Sequence, residues 1–188
     1  MNFDDDIEKC LAVLKTGGII LYPTDTIWGI GCDATNATAV EKIYEIKRRP
    51  ENKSLIVLMA DQREILKHVS HPDPAIPDYL KTLTKPTTVI YEGAIGLAEN
   101  LVSQDGSVAI RLVNDIFCRH LIKRFRKPVV STSANITGEP PPQFFDQVSD
   151  EIKEGVDYIV NYRQDDHSPR TPSAIIKWKN GGPELIRE

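Results

Sequence analysis

Three short segments carry residue types that could do chemistry together. In KPVVSTSANITGEPPP, Ser131, Thr132, Ser133 and Asn135 follow an apolar strand at once. Hydroxyls and an amide leaving the end of a sheet strand suit a small polar ligand. A hydroxyl-rich turn that caps its own backbone is the plainer alternative, but these donors exceed what one turn needs. In KRRPENKSLIVLM, Lys47 falls in the last turn of a helix, Arg49 just beyond it and Lys53 ahead of the next strand. Cations around one helix exit can converge on a polyphosphate, Arg through forked donors and Lys as a point charge. They can equally just complement the helix dipole, for about 0.3–1 kcal/mol each. In GGIILYPTDTIWGIGCDA, a strand closed by Pro23 delivers Thr24, Asp25 and Thr26 into a turn. Gly29 and Gly31 would then allow close backbone approach to a ligand or another strand. A strand–turn–strand corner using Thr and Asp for local bonds accounts for the same residues.

Other chemistries find no foothold. GxxxxGK[ST], GxSxG and HExxH are all absent, so a P-loop is excluded as the nucleotide site. His68 and His71 stand near a helix end without cysteine or carboxylate partners at metal-ligand spacing, and read as surface residues. Cys10, Cys32 and Cys118 lie far apart, and their odd number fits a reducing compartment better than a disulfide framework.

The elements that must position these residues form an ordinary chain. It has 188 residues, enough for one domain with a substantial core, with 40% hydrophobic and 27% charged residues. No apolar run approaches the roughly 18 residues that span a bilayer, and the acidic start MNFDDDIEKC lacks the character of a secretory signal. A cytoplasmic location is expected. The net charge of −4 speaks against nucleic-acid coating as the main task. Basic residues nonetheless cluster at Lys47, Arg48, Arg49 and Lys53, and again at Arg119, Lys123, Arg124, Arg126 and Lys127, which suits a local anionic ligand or merely solvated helix ends.

Periodicity predicts a helix over 4–15 with Ile7, Cys10, Leu11 and Leu14 inward, and Asp4, Asp5 and Asp6 favouring its start. Gly17 and Gly18 stop it, and a strand over 19–22 follows. Asn36 caps a helix presenting Val40, Ile43 and Tyr44, which Pro50 ends. A strand over 55–59, a helix over 62–69 and a bend at HPDPAIP come next. Strands are expected over 87–91 and 107–113, and a helix over 116–125 with Ile116, Phe117, His120 and Leu121 on one side. A short strand from Val129 runs into STSAN. A helix over 144–152 and strands over 156–162, 174–178 and 184–187 complete an α/β domain on a twisted, mixed sheet. RQDDHSPRTP, 163–172, reads equally as a mobile loop or a tolerated surface loop.

In this order the segments resemble the threonylcarbamoyl-AMP synthase family, the YrdC-like domain. The likeness rests on YPTDTIWGIGCDA, on Lys47 and Arg49 as K-x-R with LIVLM after it, on SVAIR, on Ser133 and Asn135 as S-x-N within STSANITGEPPP, and on PSAII and LIR. It implies a single-domain form over 1–188: an open α/β fold whose twisted mixed sheet and flanking helices surround a large, positively lined cavity. It also implies a reaction. Threonine and bicarbonate form a carbamate that attacks the α-phosphate of ATP, giving pyrophosphate and threonylcarbamoyl-adenylate. A threonylcarbamoyl-transferase complex would take that product for threonylcarbamoyladenosine at tRNA position 37.

The residues implied for L-threonine are Thr26, Arg111, Ser131 and Ser173. Those for ATP are Arg49, Lys53, Ser107, Ser133, Pro141 and Arg187, and Lys47 and Asn135 complete a catalytic tetrad with Arg49 and Ser133. Mg2+ would arrive on the ATP phosphates, and the 163–172 loop is expected to close over the nucleotide. Leu58 stands where many relatives have histidine, and TKPTTVIYEG follows the family pattern only loosely. The alternative reading is a module binding tRNA or double-stranded RNA.

Overall fold

A strand with apolar side chains on both faces must be covered on both, and that requirement organises this chain. The computed structural model describes residues 3–50, 55–179 and 181–188. Its strands are β1 (Ile20–Tyr22), β2 (Gly29–Gly31), β3 (Ile56–Met59), β4 (Thr87–Tyr91), β5 (Val108–Leu112), β6 (Val129–Ser133), β7 (Tyr158–Ile159), β8 (Ala174–Lys179) and β9 (Gly182–Arg187). They form one sheet in the order β7-β1-β2-β6-β3-β5-β4-β8-β9. The pairs β1–β7, β3–β5 and β4–β8 are parallel and the others antiparallel, so the sheet is mixed as expected. The helices are α1 (Asp4–Lys15), α2 (Ala37–Ile46), α3 (Gln62–His68), α4 (Ile76–Lys81), α5 (Ile116–Phe125) and α6 (Asp150–Gly155).

Alternation sends Leu21, Ile30, Val57, Val89, Ile110, Val130 and Ile176 to one face, where they pack with Val40 and Ile43 of α2 and Ile65 of α3. The opposite face sends Ile20, Tyr22, Leu58 and Val129 against Ile7 and Leu14 of α1 and Phe117 and Leu121 of α5. Each fully buried Leu, Ile or Phe side chain contributes about 1.5–3 kcal/mol. The cover given by α1 and α5 does not extend along the whole second face. Beyond Leu58 and Val129 it continues as Ile56, Ala109, Arg111 and Ser131, and these line a cavity.

Local chemistry explains the element ends. The Asn36 side chain accepts from the Ala39 amide and starts α2. Its end differs from expectation: Arg48, not Pro50, is the stop. Arg48 has φ 48°, its amide bonds the Glu45 carbonyl, and the Arg49 amide bonds the Tyr44 carbonyl. This is the double bond pattern of a left-handed helix terminus, with arginine where glycine is usual. Asp6 also does more than favour the start of α1. It is buried and accepts from the Tyr158 hydroxyl (2.5 Å), the Asn161 amide (3.1 Å) and side chain (3.2 Å), and the Tyr162 amide (2.9 Å).

Four further expectations need correction. The HPDPAIP bend runs into α4, with Pro77 in the first turn where its missing N–H costs nothing. The helix over 144–152 is a 3-10 turn at Phe145–Gln147 followed by α6, because the Ser149 hydroxyl accepts from Ile152 and caps a new start. On α5 the inward face is Phe117, Cys118, Leu121, Ile122 and Phe125, while Ile116 is 56% exposed and His120 also faces out. The strand over 156–162 shrinks to β7, since Asp6 takes the Asn161 and Tyr162 amides instead.

Two stability measurements follow. A Cβ at Gly31 would sit 2.2 Å from the Val130 carbonyl oxygen and 2.8 Å from Tyr22 Cε1, whereas one at Gly182 meets nothing within 4 Å. Gly31→Ala should therefore lower unfolding free energy by about 3 kcal/mol or more, and Gly182→Ala by less than about 1 kcal/mol, as read by urea titration. Asp6→Ala should cost about 2–4 kcal/mol, because four donors lose a charged acceptor, while exposed Asp5→Ala stays within about 0.5 kcal/mol.

Candidate active site

The first wall of the cavity is the corner between β1 and β2. Thr24 Oγ1 donates to the Ile27 carbonyl at 2.8 Å, and the Thr26 amide donates to Thr24 Oγ1 at 3.0 Å. The two threonine hydroxyls are 2.9 Å apart. Because the single hydroxyl hydrogen of Thr24 goes to Ile27, Thr26 is the donor between them. Both readings of this segment are therefore realised. The corner is held by local threonine bonds, and Thr26 also faces the cavity. Arg111 reaches it from β5, with Nη2 3.0 Å from Asp25 Oδ1 and 3.3 Å from Thr26 Oγ1.

The second wall is the end of β6. Ser133 lies opposite Gly29 and Thr132 opposite Ile30. A Cβ at Gly29 would stand 2.9 Å from the Thr132 carbonyl oxygen and 3.3 Å from Ser131 Oγ. The glycine thus lets β2 lie close against the hydroxyl-bearing strand.

The third wall is the exit of α2. Lys47, 1% exposed, points inward, and its Nζ donates to the carbonyls of Ser133 (2.5 Å) and Asn135 (2.6 Å). Burial, and secondarily the nearby Arg49 charge, pulls its amine down to about 7. This strut carries half-buried Arg49 to the cavity that Ser133 also lines. Burial also lowers the Arg49 guanidinium from its ordinary value.

Ser173, Arg187 and Pro141 also line this cavity, whose volume is about 320 Å³. The hydroxyls of Ser173 and Thr88 are 2.8 Å apart, and Arg187 Nη2 donates to the Ser173 carbonyl at 2.9 Å. Arg49, Arg111 and Arg187 face this space, and no carboxylate is among the described residues that line it. Three guanidiniums with hydroxyls between them suit a polyanionic ligand carrying polar groups.

Eight of the expected residues therefore share one cavity: Thr26, Arg49, Arg111, Ser131, Ser133, Pro141, Ser173 and Arg187. Lys47 and Asn135 stand behind the wall. The Asn135 side-chain amide donates to the Ile136 and Glu139 carbonyls, and its buried Oδ1 has no partner among the described residues. Ser107 is also off the wall, its hydroxyl donating to Asp105 at 2.6 Å. Lys53 lies outside the described residues. Leu58 is fully buried in the apolar cluster with α5, so the position where many relatives have histidine offers no polar contact.

A larger cavity of about 530 Å³ lies beyond the Asp25–Arg111 pair. There Lys81, Lys85, Arg119 and Arg170 share the walls with Asp25 and Asp115, and much of the rest is proline and leucine. The convergence of arginines and hydroxyls makes the smaller cavity the candidate site. Arg163 and Arg170 add a contact that local sequence does not announce. Both donate to the Thr24 carbonyl, at 3.3 and 3.2 Å, and Arg163 pairs with Asp115 at 3.0 Å. Two arginines in a polar loop were the only hint. Among the described residues no group of three His, Cys, Asp or Glu side chains is placed to hold a metal, and no helix is long and apolar enough to cross a membrane.

Comparison with known proteins agrees with this geometry. A family model described as Sua5/YciO/YrdC, telomere recombination, matches residues 12–188. A threonylcarbamoyl-AMP synthase of Vibrio campbellii is 31% identical over 186 residues, covering 97% of this chain and 98% of that protein. That of Pseudoalteromonas translucida is 31% identical over 166 residues, covering 86% and 88%. The crystal structure of P. abyssi Sua5 complexed with L-threonine superposes with a TM-score of 0.87 at 22% identity, over 98% of this chain and 54% of that one. E. coli YciO superposes with a TM-score of 0.84 at 20% identity, over 98% and 89%. At such identities the structural likeness is one of fold. Motifs, fold and sequence relatives agree: the chain belongs to the Sua5/YciO/YrdC family.

Proposed function

We propose that this chain is a threonylcarbamoyl-AMP synthase, a nucleotidyltransferase that makes threonylcarbamoyl-adenylate and pyrophosphate from L-threonine, bicarbonate and MgATP. The observation that carries the reading is the one cavity lined by Arg49 from the α2 exit and Ser133 from the β6 end together with Thr26, Arg111, Ser131 and Ser173. The curated relatives over nearly the whole chain carry that activity in their names.

The amine of threonine and bicarbonate give a carbamate, one oxygen of which attacks the α-phosphorus of ATP. The bond to the bridging oxygen breaks and pyrophosphate leaves with its electrons. Such a step asks the protein for position and for charge where charge builds, not for a covalent nucleophile. Arg49 and Arg187 supply that charge, and Ser133 and Pro141 border the same nucleotide space. Arg111, Thr26, Ser131 and Ser173 seat the amino acid. Lys47 and Asn135 act from behind by fixing the β6 turn. Mg2+ enters as part of the nucleotide substrate. The 163–172 loop, clipped to Thr24 through Arg163 and Arg170, closes over the bound nucleotide. The product passes to a transferase complex that modifies tRNA.

Purified protein should release pyrophosphate from MgATP only when threonine and bicarbonate are both present, in a coupled phosphate assay. Arg49→Ala should lower that rate about 100-fold or more, the scale for removing a donor to developing charge, and Ser133→Ala about 10-fold or more. Threonine-independent turnover, unchanged in either variant, would contradict the reading.

A further inference from the structure

The larger cavity, of about 530 Å³, shares no lining residue with the candidate active site. Asp25 lines the one and Arg111 the other, and their ion pair is the wall between them. The larger cavity is a groove that opens where Ala60 and Val113 leave β3 and β5. Those strands run parallel, and open α/β sheets place ligands outside the carboxyl ends of such strands. Its floor is apolar. Leu80, Leu83, Pro86 and Leu112 line it and are each only half-buried, so the described chain leaves them partly open to water. Four cations and two acids share the walls, and they are not equally committed. Asp25 is held by Arg111, and Asp115 by Arg163 and the Cys118 amide. Lys81 pairs with Asp78, and Arg170 with Asp166. Lys85 has no partner among the described residues, and Arg119 reaches only the Asn114 side-chain oxygen, at 3.4 Å.

A half-open apolar floor beside two uncommitted cations, on a chain of net charge −4, is complementary to a ligand that is apolar and anionic at once. An extended peptide with aliphatic side chains and carboxylates has both characters. Nucleic acid fits less well. Its bases stack on aromatic faces, and no Phe, Tyr, Trp or His is among the described residues that line the groove. Two uncommitted cations are also few for a phosphate backbone. We propose that this groove docks an acidic, leucine-bearing segment of a partner protein. Its apolar side chains lie on Leu80, Leu83, Pro86 and Leu112, and its carboxylates on Lys85 and Arg119. A partner held there stands one ion pair away from the Thr24–Thr26 corner, on the far side of the wall from the active site. The docking surface goes beyond the synthase reading and does not depend on it.

The test is a 15N NMR titration with a short, acetylated peptide of repeated Glu-Gly-Leu triplets. Wild-type protein should bind it more tightly than about 1 mM and shift the backbone amides of Leu80, Leu83, Lys85 and Leu112. A peptide of Glu-Gly-Ser triplets, which has no apolar side chain to bury, should bind about 10-fold more weakly. The double variant Lys85→Glu/Arg119→Glu should lose about 10-fold or more in affinity for the first peptide, the scale of two surface ion pairs. It should instead prefer a peptide of Lys-Gly-Leu triplets. No binding to the wild type, shifts confined to other surfaces, or affinity unchanged in the folded double variant would each overturn the inference. So would tighter binding of an oligouridylate in the same groove, which would make this a nucleic-acid surface. Pyrophosphate release, where the wild type shows it, should stay within about 2-fold in the double variant, as for surface substitutions. A larger loss would place the groove in the substrate site and overturn the inference while leaving the synthase reading intact. If the double variant does not fold, Lys85→Glu alone, at an exposed position, decides by the same reversal of preference.

Discussion

The site depends on one buried amine. Lys47 Nζ bonds the carbonyls of Ser133 and Asn135, and its own carbonyl accepts the Thr137 amide at 2.9 Å. These bonds fasten the exit of α2 to the turn after β6, segments 86 residues apart in sequence. Arg49, two residues past the strut, and Ser133, at its far end, are thereby set on the same cavity. The αL turn at Arg48 makes this possible, since it reverses the chain between an inward lysine and a cavity-facing arginine. Left-handed backbone at a non-glycine costs on the order of 1 kcal/mol, and the two bonds of the helix terminus offset it.

The second constraint is the sheet face itself. A strand face left partly uncovered is normally a liability, and here it is filled by short side chains and arginines. Gly29 on β2 lets the hydroxyl-bearing end of β6 lie close against it. Arg111 projects from the middle of the sheet into contact with the Thr24–Thr26 corner. The positions that cover the core and the positions that line the cavity alternate along the same strands, so the α/β scaffold and the site are one construction. Loop 163–172 then adds Arg163 and Arg170 behind the corner, where both serve the Thr24 carbonyl.

Much of this was legible in the residues. The inward stripe of α1, the Asn36 cap and the hydroxyl-bearing end of β6 all follow from local rules of spacing and side-chain chemistry. What escaped was whatever depends on a distant partner. Nothing near Lys47 says that its amine turns inward, because the acceptors that draw it there are backbone carbonyls at the end of β6 and in the turn after it. Asp6 reads as a dipole-favouring acid, yet the donors that bury it come from residues 158–162. Pro50 is a plausible stop for α2, but Arg48 closes the helix first. The inward face of α5 turns on Cys118, a small side chain that is fully buried and rotates the stripe away from Ile116 and His120. Local periodicity reports which face is apolar; it is silent on which polar group the fold will satisfy.

The most direct measurement is the titration of the Lys47 side-chain amine by 15N NMR. In the strut, burial outweighs the ordinary preference for the ammonium, and the nitrogen should titrate near 7, with the Ser133 and Asn135 carbonyl carbons shifting over the same pH range. The unfolded chain keeps that proton to about 10.4, so this group's contribution to stability rises with pH between the two values. A Lys47 nitrogen that titrates at the ordinary lysine value, with no change at either carbonyl, would mean a solvated side chain and no strut, and the account of how Arg49 meets Ser133 would be wrong.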